Sequence, residues 1–159
     1  MLRIPENKTR KNLRIAQCLF YLFEIFFCSL TYVAIPNPEK AGDYFYATVL
    51  DMIGYIGGNF QNSPAVEAIK SYYHYYLIFL IIPIVGFFFC ALDKERNMKN
   101  IVSIICCLLG VFSILTIVTL NFINIGSLFA LLVYILISFI TSIAMMARLT
   151  DDAKARKEE

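Results

Sequence analysis

Glu24 stands near the middle of an apolar stretch, and it is the side chain of this protein best suited to chemistry. Holding a carboxylate charged in a lipid interior costs several kcal/mol, so such groups pair, hydrate or take up a proton. A buried acid of that kind binds a proton, a cation or a cationic substrate. In the plainer role it donates one hydrogen bond that fixes helix packing. Its neighbours give it company. Gln17, Tyr21, Glu24, Cys28 and Thr31 follow at intervals of 4, 3, 4 and 3 residues, which places them on one face of a helix. A complementary stripe of small residues, Ser103, Cys106, Gly110, Ser113 and Thr116, recurs at the same spacing. Such stripes let helices approach closely and exchange hydrogen bonds. Ser138, Thr141 and Ser142 make a smaller version.

Other chemistry is absent from the pattern. His74 is the one histidine and has few carboxylates near it in the chain, so no metal site is expected. No nucleotide motif, cofactor motif, serine–histidine arrangement or paired carboxylates are present, and no catalytic residue is assigned. All five cysteines (Cys18, Cys28, Cys90, Cys106 and Cys107) fall in apolar segments, and the adjacent Cys106-Cys107 pair has the wrong spacing for disulfide exchange.

The elements that carry these residues are membrane spans. Residues 101–147 contain no Asp, Glu, Lys, Arg or His, a run too long for one crossing of a bilayer that takes about 20 helical residues. Divided at 121–126, it makes a hairpin of two spans, 101–120 and 127–147. Residues 15–35 make the first span and 74–92 the second, the latter with a helical extension from about residue 64, where Ser63-Pro64 is a helix start. Pro83 and Gly86 should loosen that helix and leave the carbonyl of Phe79 without its usual partner. The sequence therefore predicts an all-α membrane protein, a single domain over 1–159, built as a four-transmembrane-helix bundle.

Between the first two spans, residues 36–73 form a loop with structure of its own. Asp43 can cap a helix over about 43–56, in which Phe45, Val49, Met52, Ile53 and Ile56 share an apolar face. Too short to span and too apolar to float free, this amphipathic helix is expected to lie on the membrane or dock to a partner. Tyr72, Tyr73, Tyr75 and Tyr76 follow as an aromatic belt.

Charge sets the orientation. Twelve of the 14 Lys and Arg residues lie in the arm 1–14, the loop 93–100 and the tail 148–159, and only Lys40 and Lys70 lie in 36–73. Both termini are therefore expected in the cytoplasm, with 36–73 external or lumenal. The basic residues are mixed with acids such as Glu6, Asp93 and Asp151, unlike a nucleic-acid surface. No nucleic acid is expected as a partner; the bilayer is.

Two functions fit this pattern. One is a non-enzymatic accessory or structural subunit of a larger membrane complex, docked through the polar face of the first span and the external helix. The other is a small homo-oligomeric transporter or channel in which Glu24 is the proton- or cation-coupling residue.

Overall fold

The computed structural model describes residues 6–37, 40–56, 73–118 and 122–158. Four long helices dominate: α1 (Lys8–Phe27), α3 (Ile78–Leu92, entered through a 3-10 turn at Tyr73–Leu77), α4 (Met98–Ser113, continued by a π turn at Ile114–Val118) and α5 (Ile125–Glu158). They pack in cyclic order, α1 on α3, α3 on α4, α4 on α5 and α5 on α1. Three of them are long and apolar enough to cross a membrane, over Tyr75–Leu92, Met98–Val118 and Ile125–Lys154. The helical extension expected from about residue 64, and Tyr72, lie outside the described residues.

Polar side chains are buried within the apolar core, and the outward faces are almost wholly apolar. Gln17, Glu24, Ser103, Ser127 and Thr141 are buried, while Phe88, Leu108, Phe112, Leu132, Phe139 and Met146 face outward. That inversion of the soluble pattern suits a protein whose solvent is hydrocarbon, where polar groups must find partners within the chain.

The first apolar segment is not one helix. α1 ends at Phe27, and Thr31–Pro36 is a strand, β1, rather than the last two turns of the expected span 15–35. The cause is local. Ser29 Oγ donates to the Phe26 carbonyl at 2.6 Å and closes the helix end, and Thr31, Tyr32, Val33 and Ile35 are β-branched or aromatic. β1 pairs antiparallel with β2 (Tyr44–Thr48), with Ile35 opposite Phe45. The loop between them turns at Gly42, whose φ of 92° is left-handed backbone that glycine adopts without strain. Ile123 adds an isolated bridge to Val33, and the Ala34 N–H donates to the Phe122 carbonyl at 3.1 Å.

β2 also corrects the helix expected over about 43–56. The helix that forms is α2, Val49–Ile56, eight residues long. Asp43 does not cap it. Thr48 does: the Asp51 N–H donates to Thr48 Oγ1 at 3.0 Å, and the Thr48 N–H donates to Asp51 Oδ2 at 2.8 Å, a reciprocal capping box. Phe45 is thus on a strand and Val49 on a helix, so the five residues expected on one helical face do not share one. Val49 is fully buried and Ile53 packs against the core. The side chains of Met52 and Ile56 lie outside the described residues.

The later boundaries differ less. α4 starts at Met98 rather than 101, and α5 runs over 125–158 rather than 127–147. Asn124 starts α5 by accepting the Ile125 N–H at 2.7 Å on its side-chain oxygen, while Ser127 Oγ accepts the Asn124 N–H at 2.9 Å.

At the opposite end from the β hairpin, ion pairs tie the elements together. Glu6 accepts from Arg14 Nε at 3.0 Å and from Lys99 Nζ at 2.9 Å, joining α1 to α4. Asp151 of α5 accepts from Asn7 Nδ2 at 2.9 Å and from Arg10 Nη1 at 3.3 Å. Arg148 reaches the Glu95 carbonyl and pairs with Asp152 at 3.1 Å. Burial opposes ionisation of Glu6, but the hydrogen bonds and charges of Arg14 and Lys99 outweigh it and hold its carboxyl below the ordinary value of 4.5. A depressed carboxyl stabilises the fold above the unfolded value and loses that contribution as pH falls through the folded one. Glu6→Gln should therefore lower the melting temperature in detergent at pH 7, by an amount equivalent to about 1–2 kcal/mol. Thermal melts from pH 7 down to 3 should show the difference between wild type and variant closing below pH 4.5.

Candidate functional site: a buried polar seam around Glu24

The polar face of α1 points into the bundle. Gln17 and Tyr21 are fully buried, Glu24 is 2% exposed and Cys28 is 1% exposed. Thr31, the fifth member of the expected seam, is half-buried on β1 and no longer belongs to the helix. The partners come from α4 and α5. Gln17 Nε2 donates to Thr141 Oγ1 at 2.8 Å, Thr141 Oγ1 lies 3.1 Å from Ser103 Oγ, and Ser103 Oγ lies 2.8 Å from the Tyr21 hydroxyl. Thr141 also donates to the Ile137 carbonyl at 2.7 Å.

Each hydroxyl has one proton, and that fixes the direction of the chain. With the Thr141 proton on the Ile137 carbonyl, Ser103 must donate to Thr141 and Tyr21 must donate to Ser103. The phenolic oxygen of Tyr21, three residues from Glu24 on the same face, also meets the Cys107 thiol of α4.

Glu24 lies one turn further along. Its Oε1 is buried without a hydrogen-bond partner among the described residues, and so is Oε1 of Gln17. Cys28, Tyr32, Cys107 and Tyr134 lie close enough to feel the charge of an ionised Glu24. No lysine, arginine or histidine is among them. The carbonyl of Phe79, which Pro83 deprives of its helical donor, receives the Cys28 thiol at 3.5 Å.

Two glycines make room for the seam. A Cβ on Gly86 of α3 would collide with the ring of Tyr21, and one on Gly110 of α4 would collide with the ring of Tyr134. Gly86, read from the sequence as a loosening of the second span, is the clearance that lets Tyr21 cross beneath α3 and reach Ser103.

The small-residue stripe on α4 divides. Ser103, Cys106, Gly110 and Ser113 are buried, but Thr116 is exposed and donates to the Phe112 carbonyl at 2.8 Å. The π turn at Ile114–Val118 is the reason: its wider winding brings Ile114 and Val118 inward and turns Thr116 out. Of the three on α5 only Thr141 is buried, while Ser138 and Ser142 donate to the carbonyls of Ile135 and Ser138. Of the expected tyrosine belt, Tyr75 is exposed and Tyr76 is buried against Phe79, with ring centroids 5.7 Å apart.

Sequence reasoning did not single out Tyr32, Tyr134 or Asn100 as members of this interior. A signal existed for one: Tyr134, Ser138 and Thr141 sit at helical spacing with Tyr134 and Thr141 two turns apart. Tyr32 carries no such signal, because the strand that brings it inward interrupts the helical period. Among the described residues no group of His, Cys, Asp and Glu is arranged to hold a metal ion. Comparison with protein families, with curated proteins and with solved structures finds no match to this chain.

Gly86→Ala should place a methyl group in the Tyr21 ring and cost about 1–3 kcal/mol of stability. Adding Tyr21→Leu should recover part of that loss, a coupling that melts of the two single variants and the double variant would measure.

Proposed function

We propose that this protein is a small, non-enzymatic integral membrane protein with four spans, in which Glu24 binds and releases a proton or cation during transport by a homo-oligomer. The observation that carries the reading is the Glu24 carboxyl itself, buried at the centre of the bundle with Oε1 unpartnered. An ionisable group in that setting is costly and is retained where its protonation or ligand does work.

In this reading α1 is the fourth span. Its uncharged stretch before and after Glu24, Ile15 to Phe27, rises only about 20 Å, less than a bilayer core of about 30 Å. The basic first turns make up the length, with Arg10 and Arg14 held by Asp151 and Glu6 at the interface. The end rich in Lys and Arg faces the cytoplasm and the β hairpin faces outward or into a lumen, as the positive-inside rule directs.

The second reading is an accessory subunit of a larger membrane complex. It is favoured by the same burial that seals Glu24 from either end, as a neutral structural acid would be. The two docking surfaces expected from sequence are largely occupied within the chain: the α1 seam packs on α4 and α5, and Val49 of α2 is in the core. A partner would therefore sit on the outward apolar faces of the long helices.

Affinity purification from the native membrane in mild detergent, with particle mass, separates the two. A lone homo-oligomer supports transport, and a stoichiometric larger partner supports the subunit. For the first reading, Glu24→Gln reconstituted in liposomes carrying an internal pH dye should keep its fold and lose proton-coupled flux. Flux equal to wild type in a folded Glu24→Gln would remove Glu24 from the mechanism.

A further inference from the structure

A cleft of about 630 Å³ opens at the ion-paired end, where α3 stops and α4 begins. Its two walls differ in kind. One is apolar: Phe88, Phe89 and Leu92 from the last turns of α3, with Met98 from the start of α4, all exposed. The other is the connecting loop, where Lys94, Glu95 and Arg96 are exposed. Their side chains make no ion pair or hydrogen bond among the described residues. The loop itself is fixed from behind. Asp93 accepts the Arg96 N–H at 2.8 Å on Oδ1 and the Lys99 N–H at 2.9 Å on Oδ2, and Arg148 holds the Glu95 carbonyl. A rim held in this way needs little further ordering to bind a ligand. The acids that are mixed with the basic residues in the sequence are mostly engaged at this end. Glu6 pairs with Arg14 and Lys99, Asp151 with Arg10 and Asp152 with Arg148, while Asp93 caps the loop backbone. The charged groups left without partners at the cleft are two cations, Lys94 and Arg96, and one acid, Glu95.

We propose that this cleft binds one anionic phospholipid, with the headgroup phosphate on Lys94 and Arg96 and an acyl chain along Phe88, Leu92 and Met98. The volume lies within the range of small-molecule sites, about 300–1,000 Å³, and has room for a headgroup and the first part of a chain. Arginine offers phosphate a planar fork of donors, and lysine adds a point charge. The apolar wall selects a lipid over a free phosphate. A soluble anion would leave Phe88, Leu92 and Met98 bare, whereas an acyl chain covers them and continues along the outward faces of α3 and α4. The depth also fits. Leu92 is the last residue of the span Tyr75–Leu92, and the charged loop follows at once, so the two walls stand at the levels of chain and phosphate. Basic pockets between membrane helices at a cytoplasmic end are where anionic headgroups bind. The excess of one cation without a partner matches a phosphodiester with an uncharged headgroup better than a zwitterion, whose own ammonium already balances its phosphate. The site is separate from Glu24 and does not depend on what Glu24 does.

Native mass spectrometry of the full chain in detergent, with dioleoylphosphatidylglycerol and dioleoylphosphatidylcholine at equal concentration, tests the site. The wild type should retain one molecule of the glycerol lipid in preference to the choline lipid. Lys94→Gln combined with Arg96→Gln should lower that preference about tenfold or more, as loss of charged hydrogen bonds does. The melting temperature should stay the same, because neither side chain has a partner in the fold. Lys8→Gln combined with Lys11→Gln removes the same charge from exposed positions on α1 and should keep the preference. Leu92→Asn should weaken retention, and glycerophosphoglycerol, the same headgroup without chains, should not displace the lipid at equal concentration. Equal retention of the two lipids by the wild type, or an equal loss in both double variants, reduces the effect to general attraction and overturns the site. Displacement by the chain-free headgroup, or wild-type retention in Leu92→Asn, takes the apolar wall out of the site and overturns the lipid as its occupant.

Discussion

One constraint shapes much of this bundle: polar groups buried among apolar helices find most of their partners within the chain. The hydrogen bond from Gln17 to Thr141 is where that constraint is met most directly, because it joins residues 124 apart in sequence and draws Ser103 and Tyr21 into the same network. Once α1 is turned to present Gln17 inward, Tyr21, Glu24 and Cys28 must follow at helical spacing, and the Phe and Leu residues of the opposite face must point out. Gly86 and Gly110 are then obligatory, since the Tyr21 and Tyr134 rings lie where a Cβ would stand.

The ends of the bundle solve a different problem. At one end the strands of the hairpin pair their own backbone groups and borrow Phe122 and Ile123 to finish the edge. At the other, Glu6 and Asp151 each hold two donors, so three helices are clamped by two carboxylates. Arg10, Lys99 and Arg148 are nearly inaccessible, so salt screens these pairs less than it does exposed surface ion pairs.

The legible parts of this fold were those governed by composition and by a single period. The uncharged stretch 101–147 announces two long apolar helices, and the 4, 3, 4 spacing from Gln17 to Cys28 announces which face of α1 is polar. What sequence reading lost were the places where two tendencies compete. Residues 31–36 are apolar enough for a span, yet their β-branched and aromatic side chains and the pairing offered by 44–48 make them a strand. The helical spacing of Phe45 and Val49 is real but is crossed by a strand-to-helix boundary at Thr48, whose own cap outcompetes Asp43. Thr116 follows the stripe by count and leaves it in space because a π turn changes the count. The seam was visible as a face; its partner Tyr32 was not, since nothing in a one-dimensional period says that the chain doubles back.

The sequence distances within the network also set an order of events during synthesis. The partners that α4 and α5 supply to this end of the chain are all made later: Ser103 lies 82 residues beyond Tyr21, Thr141 lies 124 beyond Gln17, and Asp151 lies 144 beyond Asn7. Until α5 exists, Gln17 and Glu24 have none of these neighbours, and the arm preceding α1 has no carboxylate of α5 to hold it. α1 therefore gains its polar partners only when α5 packs against it, and α5 is the helix that closes the bundle.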